Sequence, residues 1–144
     1  MRDEYEIQDL ISRYSDAITR REWSTVSSVF AADATWQVLG EPGFRFDGDK
    51  IGPGIRSLVE PSNHLVQMNT PAIVAVNGNG ATARSTIFET GEYEAGRFQA
   101  FKCRFESFGT YSDRLRKDDG RWRFASREFT ILNMRISRVD AVSK

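Results

Sequence analysis

The chain has 144 residues and 16.4 kDa, which is the length of one compact domain spanning 1–144. Twenty Lys and Arg balance twenty Asp and Glu, a charge pattern that argues against an electrostatically driven nucleic-acid binder and an acidic disordered tail. The single cysteine, Cys103, excludes an internal disulfide and a cysteine-rich zinc site.

With 40% hydrophobic and 12% aromatic residues the chain has the material for a substantial core. Met1-Arg2-Asp3-Glu4-Tyr5-Glu6 starts charged, and no run approaches the roughly 20 apolar residues of a bilayer span. The expectation is a cytoplasmic protein with no membrane partner.

In chain order, Ile7, Leu10, Ile11, Tyr14, Ala17 and Ile18 step by three and four, which predicts an amphipathic helix over residues 4–21. Trp23, Val26, Val29 and Phe30 repeat the pattern and predict a shorter second helix. Ala34 to Leu39, rich in Thr, Trp and Val, reads as a strand. Glycines and prolines interrupt the segment from Gly40 to Gly54, which reads as a loop. Pro53 suits the first turn of a third helix through Ile55, Leu58 and Val59.

Everything after His64 reads as antiparallel sheet. Strands over Leu65–Val76 and Ala81–Tyr93 flank Asn77-Gly78-Asn79-Gly80, a strong hairpin signal. A long strand is expected from Arg97 to about Arg116, with a bulge where the apolar phase shifts at Phe108-Gly109. Asp118-Asp119-Gly120 turns into a last strand over Trp122–Met134. The expected fold class is α+β, a cone-shaped barrel of a strongly curved, mostly antiparallel sheet packed with three N-terminal helices. Such a fold encloses a cavity for a small apolar organic ligand. Phe98, Phe101, Phe108, Phe129 and Ile131 exceed what one interior absorbs, so a homodimer or other homo-oligomer is expected.

Four residues are candidates for chemistry. His64, the only histidine, has the parity of Val66 and Met68. It is either a proton-transfer group or a strand-end histidine with a backbone partner. Arg127 alternates with Ala125, Phe129 and Ile131; its counter-charge is Glu89, Glu92 or a substrate oxyanion. Tyr14 lies on the apolar stripe, as core packing or with its hydroxyl toward a cavity. Asp16 lies off that stripe, solvated or paired with an arginine. No His/Asp/Glu cluster has metal-ligand spacing, and phosphate loops, nucleophile elbows and dinucleotide fingerprints are absent, so no metal and no cofactor are expected.

Three phrases carry a family resemblance: Ile7-Gln8-Asp9-Leu10-Ile11-Ser12-Arg13-Tyr14 leading to Trp23 and Phe30-Ala31-Ala32-Asp33, His64 before a strand ending at Asn77-Gly78-Asn79-Gly80, and Gly109-Thr110-Tyr111 leading to Gly120-Arg121-Trp122-Arg123-Phe124. The chain resembles the SnoaL-like domain family of the nuclear transport factor two-like cone fold. The resemblance implies a cofactor-independent lyase or isomerase of dehydratase or cyclase type on an apolar cyclic or polyketide-like substrate. It puts the family's catalytic histidine on His64, a supporting tyrosine on Tyr14 and a pocket arginine on Arg127. The aspartate that orients the histidine falls on Thr19, which leaves Asp16 as the substitute carboxylate. The alternative is a non-catalytic ligand-binding or subunit-interaction domain of the same fold, which Thr19 favours.

Overall fold

The computed structural model describes residues 2–40 and 43–140. The first apolar stripe folds as α1 (Arg2–Arg20), burying Ile7, Ile11, Tyr14, Ala17 and Ile18 along one face. Asp3 and Glu4 open this helix and Arg20 closes it, each at the dipole end that favours its charge. The pairs Asp9–Arg13 and Asp16–Arg20 lie four residues apart on its solvent side. A left-handed residue, Arg21 (φ 60°), ends the helix. Its guanidinium donates to the carbonyls of Glu60 and Ser62, pinning the helix end beside the start of a strand. Helix α2 (Trp23–Ser28) follows, then β1 (Phe30–Leu39).

The expected loop at 40–54 holds more order than its glycines suggest. It contains β2 (Phe44–Asp47), a single 3-10 turn (Gly48–Lys50) and the start of α3 (Ile51–Val59); Glu41 and Pro42 lie outside the described residues. Phe46 stacks on Trp36 with centroids 5.7 Å apart, so an aromatic cross-strand pair fixes β2 against β1. Gly54 approaches the Phe46 ring so closely that a Cβ there would sit 2.4 Å from it.

The single strand expected over 65–76 is two strands, β3 (His64–Asn69) and β4 (Ile73–Asn77), laid end to end along β5 (Gly80–Tyr93). Pro71 breaks the run, because it has no N–H for the ladder. The side chain of Gln8 fills the gap, donating to the Ala72 carbonyl (2.6 Å) and accepting from its N–H (2.8 Å). The Asn77–Gly80 hairpin forms as expected, with Gly78 at φ 62°. Strand β6 (Cys103–Asp118) starts six residues later than the sequence suggests. It turns through Asp119 (φ 50°) and Gly120 (φ 75°) into β7 (Arg121–Arg138).

Among the described residues seven strands form one sheet in the order β2-β1-β7-β6-β5-β3, with β4 also on β5. β1 runs parallel to β7 and every other pairing is antiparallel, so the sheet is mixed. The expectation of a closed, strongly curved cone-shaped barrel is corrected here. β2 and β3 are free edges that do not pair with each other, and the sheet is open rather than closed. The physical reason is that closure needs strand number, tilt and stagger to agree around the whole ring. Local bulges do not supply that. The register does shift at Phe108/Gly109 as expected, and again at Arg114/Leu115. At Gly109 a Cβ would lie 2.5 Å from the Thr130 carbonyl, so only glycine lets β7 approach there.

Helix α1 packs on β3 and β4, and α3 on α2 and β2, covering the inner face of the sheet. The core between them includes Ile7, Val26, Ile51, Ile87, Cys103 and Phe124. Among the described residues no helix is long and apolar enough to cross a membrane.

Candidate active site

A cavity of about 290 Å³ opens between the inner sheet face and the helices. An apolar cavity of roughly 150 Å³ holds a benzene ring, so this one has room for a one- or two-ring molecule. Its walls are mostly apolar, with Ile18, Val38, Ile55 and Leu65 among them, and Phe44, Phe98 and Met134 stand partly exposed at its mouth. Polar side chains line part of it. They are Tyr14 from α1, Ser57 from α3, Gln67 from β3, Glu89 and Tyr93 from β5, Arg97 from the connection after β5, and Ser107 and Tyr111 from β6, with Trp36 beside Tyr14.

His64 is not among them. It stands exposed at the start of β3, opposite Glu92, while Leu65 and Gln67 of the same strand are buried. The expectation that His64 faces the cavity is therefore corrected. Side chains alternate along a strand, so an error of one residue in phase turns every side chain to the other face. His64-Leu65-Val66-Gln67-Met68-Asn69 carries apolar residues on both parities, and the inward one is Leu65 and Gln67. Asp16 is exposed and bonded to Arg20 (2.8 Å), so it does not serve to orient an imidazole. Thr19 faces β3, but it accepts a hydrogen bond from the backbone N–H of Gln67 (3.1 Å) rather than meeting His64. We expect His64→Ala to keep any activity of this pocket within a few-fold of wild type, as measured by the exchange assay described below.

Gln67, Glu89 and Ser107 lie directly across from one another on the adjacent strands β3, β5 and β6. Gln67 donates from Nε2 to Glu89 Oε2 (2.7 Å), and its Oε1 lies 3.3 Å from the Ser15 hydroxyl. That amide bridge fixes one carboxylate oxygen, and the other has no hydrogen-bond partner among the described residues. Burial pushes the Glu89 carboxyl above its ordinary value, and the Gln67 hydrogen bond only partly offsets this. Ser107 is buried, and among the described residues its hydroxyl has no hydrogen-bond partner.

Tyr14 is buried, and its hydroxyl accepts from Trp36 Nε1 at 3.2 Å. That bond orients the phenol and leaves its proton for a ligand. Arg127 lies behind it, fully buried, with its guanidinium carbon 4.3 Å from the Tyr14 ring centre, 3.6 Å from Tyr111 and 4.5 Å from Phe124. Its charge partner is Asp113, reached through Nε at 3.0 Å, rather than the expected Glu89 or Glu92. Asp113 sits opposite Arg127 across β6 and β7, a pairing invisible until the register is known. Both groups are starved of further partners: the two terminal nitrogens of Arg127 and Asp113 Oδ2 have none among the described residues. Burial raises the Tyr14 phenol above its ordinary value, while the Arg127 charge pulls the other way.

Sequence reasoning missed Glu89 as a site residue, together with Gln67, Ser107 and Trp36. One signal was available. Glu89 has the parity of Ala81, Ala83, Ile87 and Tyr93, so a carboxylate stood on the apolar side of its strand. Among the described residues no group of His, Cys, Asp and Glu side chains could hold a metal ion.

The model of the SnoaL-like domain matches residues 1–128. The chain belongs to the SnoaL-like domain family. Solved structures agree on the fold of this SnoaL-like domain. A type 2 hexachlorocyclohexane dehydrochlorinase superposes with a TM-score of 0.82 at 16% identity, covering 99% of this chain and 93% of the other. A type 3 dehydrochlorinase from Novosphingobium barchaimii gives 0.81 at 16% identity, over 99% and 95%. A protein of unknown function from Mycobacterium tuberculosis gives 0.71 at 25% identity, over 94% and 72%. No curated protein matches the sequence. At these identities the structural likeness bears on the fold, and the chemistry has to be argued from this SnoaL-like domain's own residues.

Proposed function

We propose that this SnoaL-like domain is a cofactor-independent lyase or isomerase of a small ring compound, with Glu89 in the proton-transfer role that the resemblance gives to a histidine. One observation carries the reading: a carboxylate lines an apolar cavity with one oxygen held by Gln67 (2.7 Å) and the other without a hydrogen-bond partner among the described residues. A general base works best when its pKa is lifted toward the working pH, and burial does this for Glu89. In the forward step Glu89 removes a proton from the carbon beside a carbonyl. The electron pair moves onto the carbonyl oxygen, which accepts a hydrogen bond from Tyr14. Return of the proton to another carbon gives an isomer; loss of a leaving group gives the lyase product.

Arg127 acts here as a positioning residue. Its charge lies against the Tyr14 ring face and favours negative charge on the phenol and on what the phenol binds. The family's aspartate position, Thr19, touches Gln67, and neither side chain ionises, so this pair cannot stand in for an imidazole and a carboxylate. That neutral contact favours the second reading, a ligand-binding domain without turnover.

The test is proton exchange. The protein is incubated with 2-tetralone, a two-ring ketone, in deuterated water, and loss of the α-proton signals is followed by NMR. Exchange faster than buffer, abolished by Glu89→Gln, supports the enzyme; no acceleration supports the binding domain.

The outer sheet face also carries Met68 and Phe108, both more than half exposed, with Phe88 packed on Phe108. Phe129, expected outside, is buried, and Phe98 and Ile131 instead rim the cavity. We read the outer patch as the surface of a homodimer. Sedimentation equilibrium at micromolar concentration is expected to return twice 16.4 kDa.

A further inference from the structure

Ser107 is the one buried hydroxyl on the cavity wall that has no hydrogen-bond partner among the described residues. Its residue is 2% exposed. An unpaired buried hydroxyl is costly, and native proteins rarely keep one without a ligand, a water or a partner. No partner comes from its neighbours: Met134 faces it on β7, and Glu89, across from it on β5, is bonded to Gln67 instead. Ser107 and Glu89, paired across β5 and β6, therefore form two adjacent polar points on the sheet wall of the cavity.

These two points ask for different things. An ionised carboxylate only accepts hydrogen bonds, whereas a serine hydroxyl both donates and accepts. A ligand ketone placed between them would accept from Ser107 but turn its lone pairs on Glu89. A ligand hydroxyl satisfies both, donating to Glu89 and accepting from Ser107. A carboxylate oxygen has two acceptor positions, so this bond leaves Glu89 one for a proton.

We propose that the cavity takes a ring compound bearing a hydroxyl group, seated between Glu89 and Ser107, with Glu89 discriminating against a ketone and Ser107 adding a second hydrogen bond to the hydroxyl. This deepens the reading of the pocket given above and rests on its ligand site, but not on turnover. The carbonyl that Tyr14 serves and the hydroxyl that Ser107 reads are then two polar groups of one apolar skeleton. The serine acts on binding and touches no bond that breaks.

Three probes of one skeleton separate the possibilities: tetralin has no oxygen, 2-tetralone only accepts, and 2-tetralol donates and accepts. Dissociation constants are measured by isothermal titration calorimetry on the wild type and Ser107→Ala. The wild type is expected to bind 2-tetralol about a hundredfold more tightly than tetralin, roughly tenfold for each of the two hydrogen bonds to Glu89 and Ser107, and more tightly than 2-tetralone. Ser107→Ala is expected to cut the preference over tetralin about tenfold, leaving the part that Glu89 supplies, and to leave tetralin binding unchanged. Its Tm should match or exceed that of wild type, because the oxygen removed has no partner to lose. A preference over tetralin that is undiminished in Ser107→Ala overturns the proposal. So does a wild type that prefers the ketone or fails to bind 2-tetralol, and so does a Tm that falls by several degrees. Should 2-tetralone exchange fail while the serine-dependent preference holds, the catalytic reading falls and this binding assignment stands.

Discussion

Glu89→Gln is expected to abolish catalysed proton exchange, lowering the rate by a factor of roughly 10² to 10⁴, the range that a positioned general base contributes. Glutamine keeps the shape and a hydrogen bond to Gln67 but cannot accept the proton. The wild-type rate should rise with pH through a midpoint above the ordinary glutamate value, because only the ionised carboxyl acts as base and burial raises its pKa. The same shift predicts an opposite effect on stability. The folded state holds the Glu89 proton more tightly than the unfolded chain, so stability falls as pH rises from the ordinary value to the raised one. Glu89→Gln removes that loss. Its Tm at pH 7 should therefore equal or exceed that of wild type, which separates a catalytic defect from unfolding. A variant that exchanges protons at the wild-type rate would remove Glu89 from the mechanism.

The second large effect is on stability and comes from the buried ion pair. Asp113→Ala leaves the Arg127 guanidinium, 0% exposed, without its only charge partner among the described residues. Breaking such a pair typically costs about 3–5 kcal/mol. For a domain of this size that corresponds to a fall in Tm of roughly 10 °C, measurable by calorimetry. Asp113→Leu combined with Arg127→Met removes both charges and should lose less than Asp113→Ala alone. The double variant also takes away the cation behind Tyr14. If Arg127 tunes that phenol, the exchange rate falls in the double variant even where the fold is intact. An unchanged rate would confine Arg127 to a structural role.

These two residues mark how far the sequence could be followed. Arg127 was legible as a charge on the apolar parity of its strand, and the need for a counter-charge followed from the cost of burying it. Which carboxylate supplies that charge depends on the β6/β7 register, and that register shifts twice. His64 shows the complementary failure. Its strand was found, but with apolar residues on both parities nothing local sets which face points inward. Gln67 is inward because Glu89 accepts from its amide N–H and the Ser15 hydroxyl lies against its amide oxygen.

By itself the sequence determined the elements whose signals are local. The α1 stripe, the Asn-Gly and Asp-Gly turns and the bulge at Gly109 each rest on a few neighbouring residues with one low-energy solution. The family followed from the order of those elements. Only the tertiary structure decided that the sheet stays open, that β1 joins it in parallel beside β7, and that a glutamate rather than the histidine enters the cavity. Each of these turns on contacts between residues far apart in the chain. A strand's inward face, its partner and a buried carboxylate's environment are set when those distant residues meet, because burial and pairing belong to the assembled core and not to any one segment.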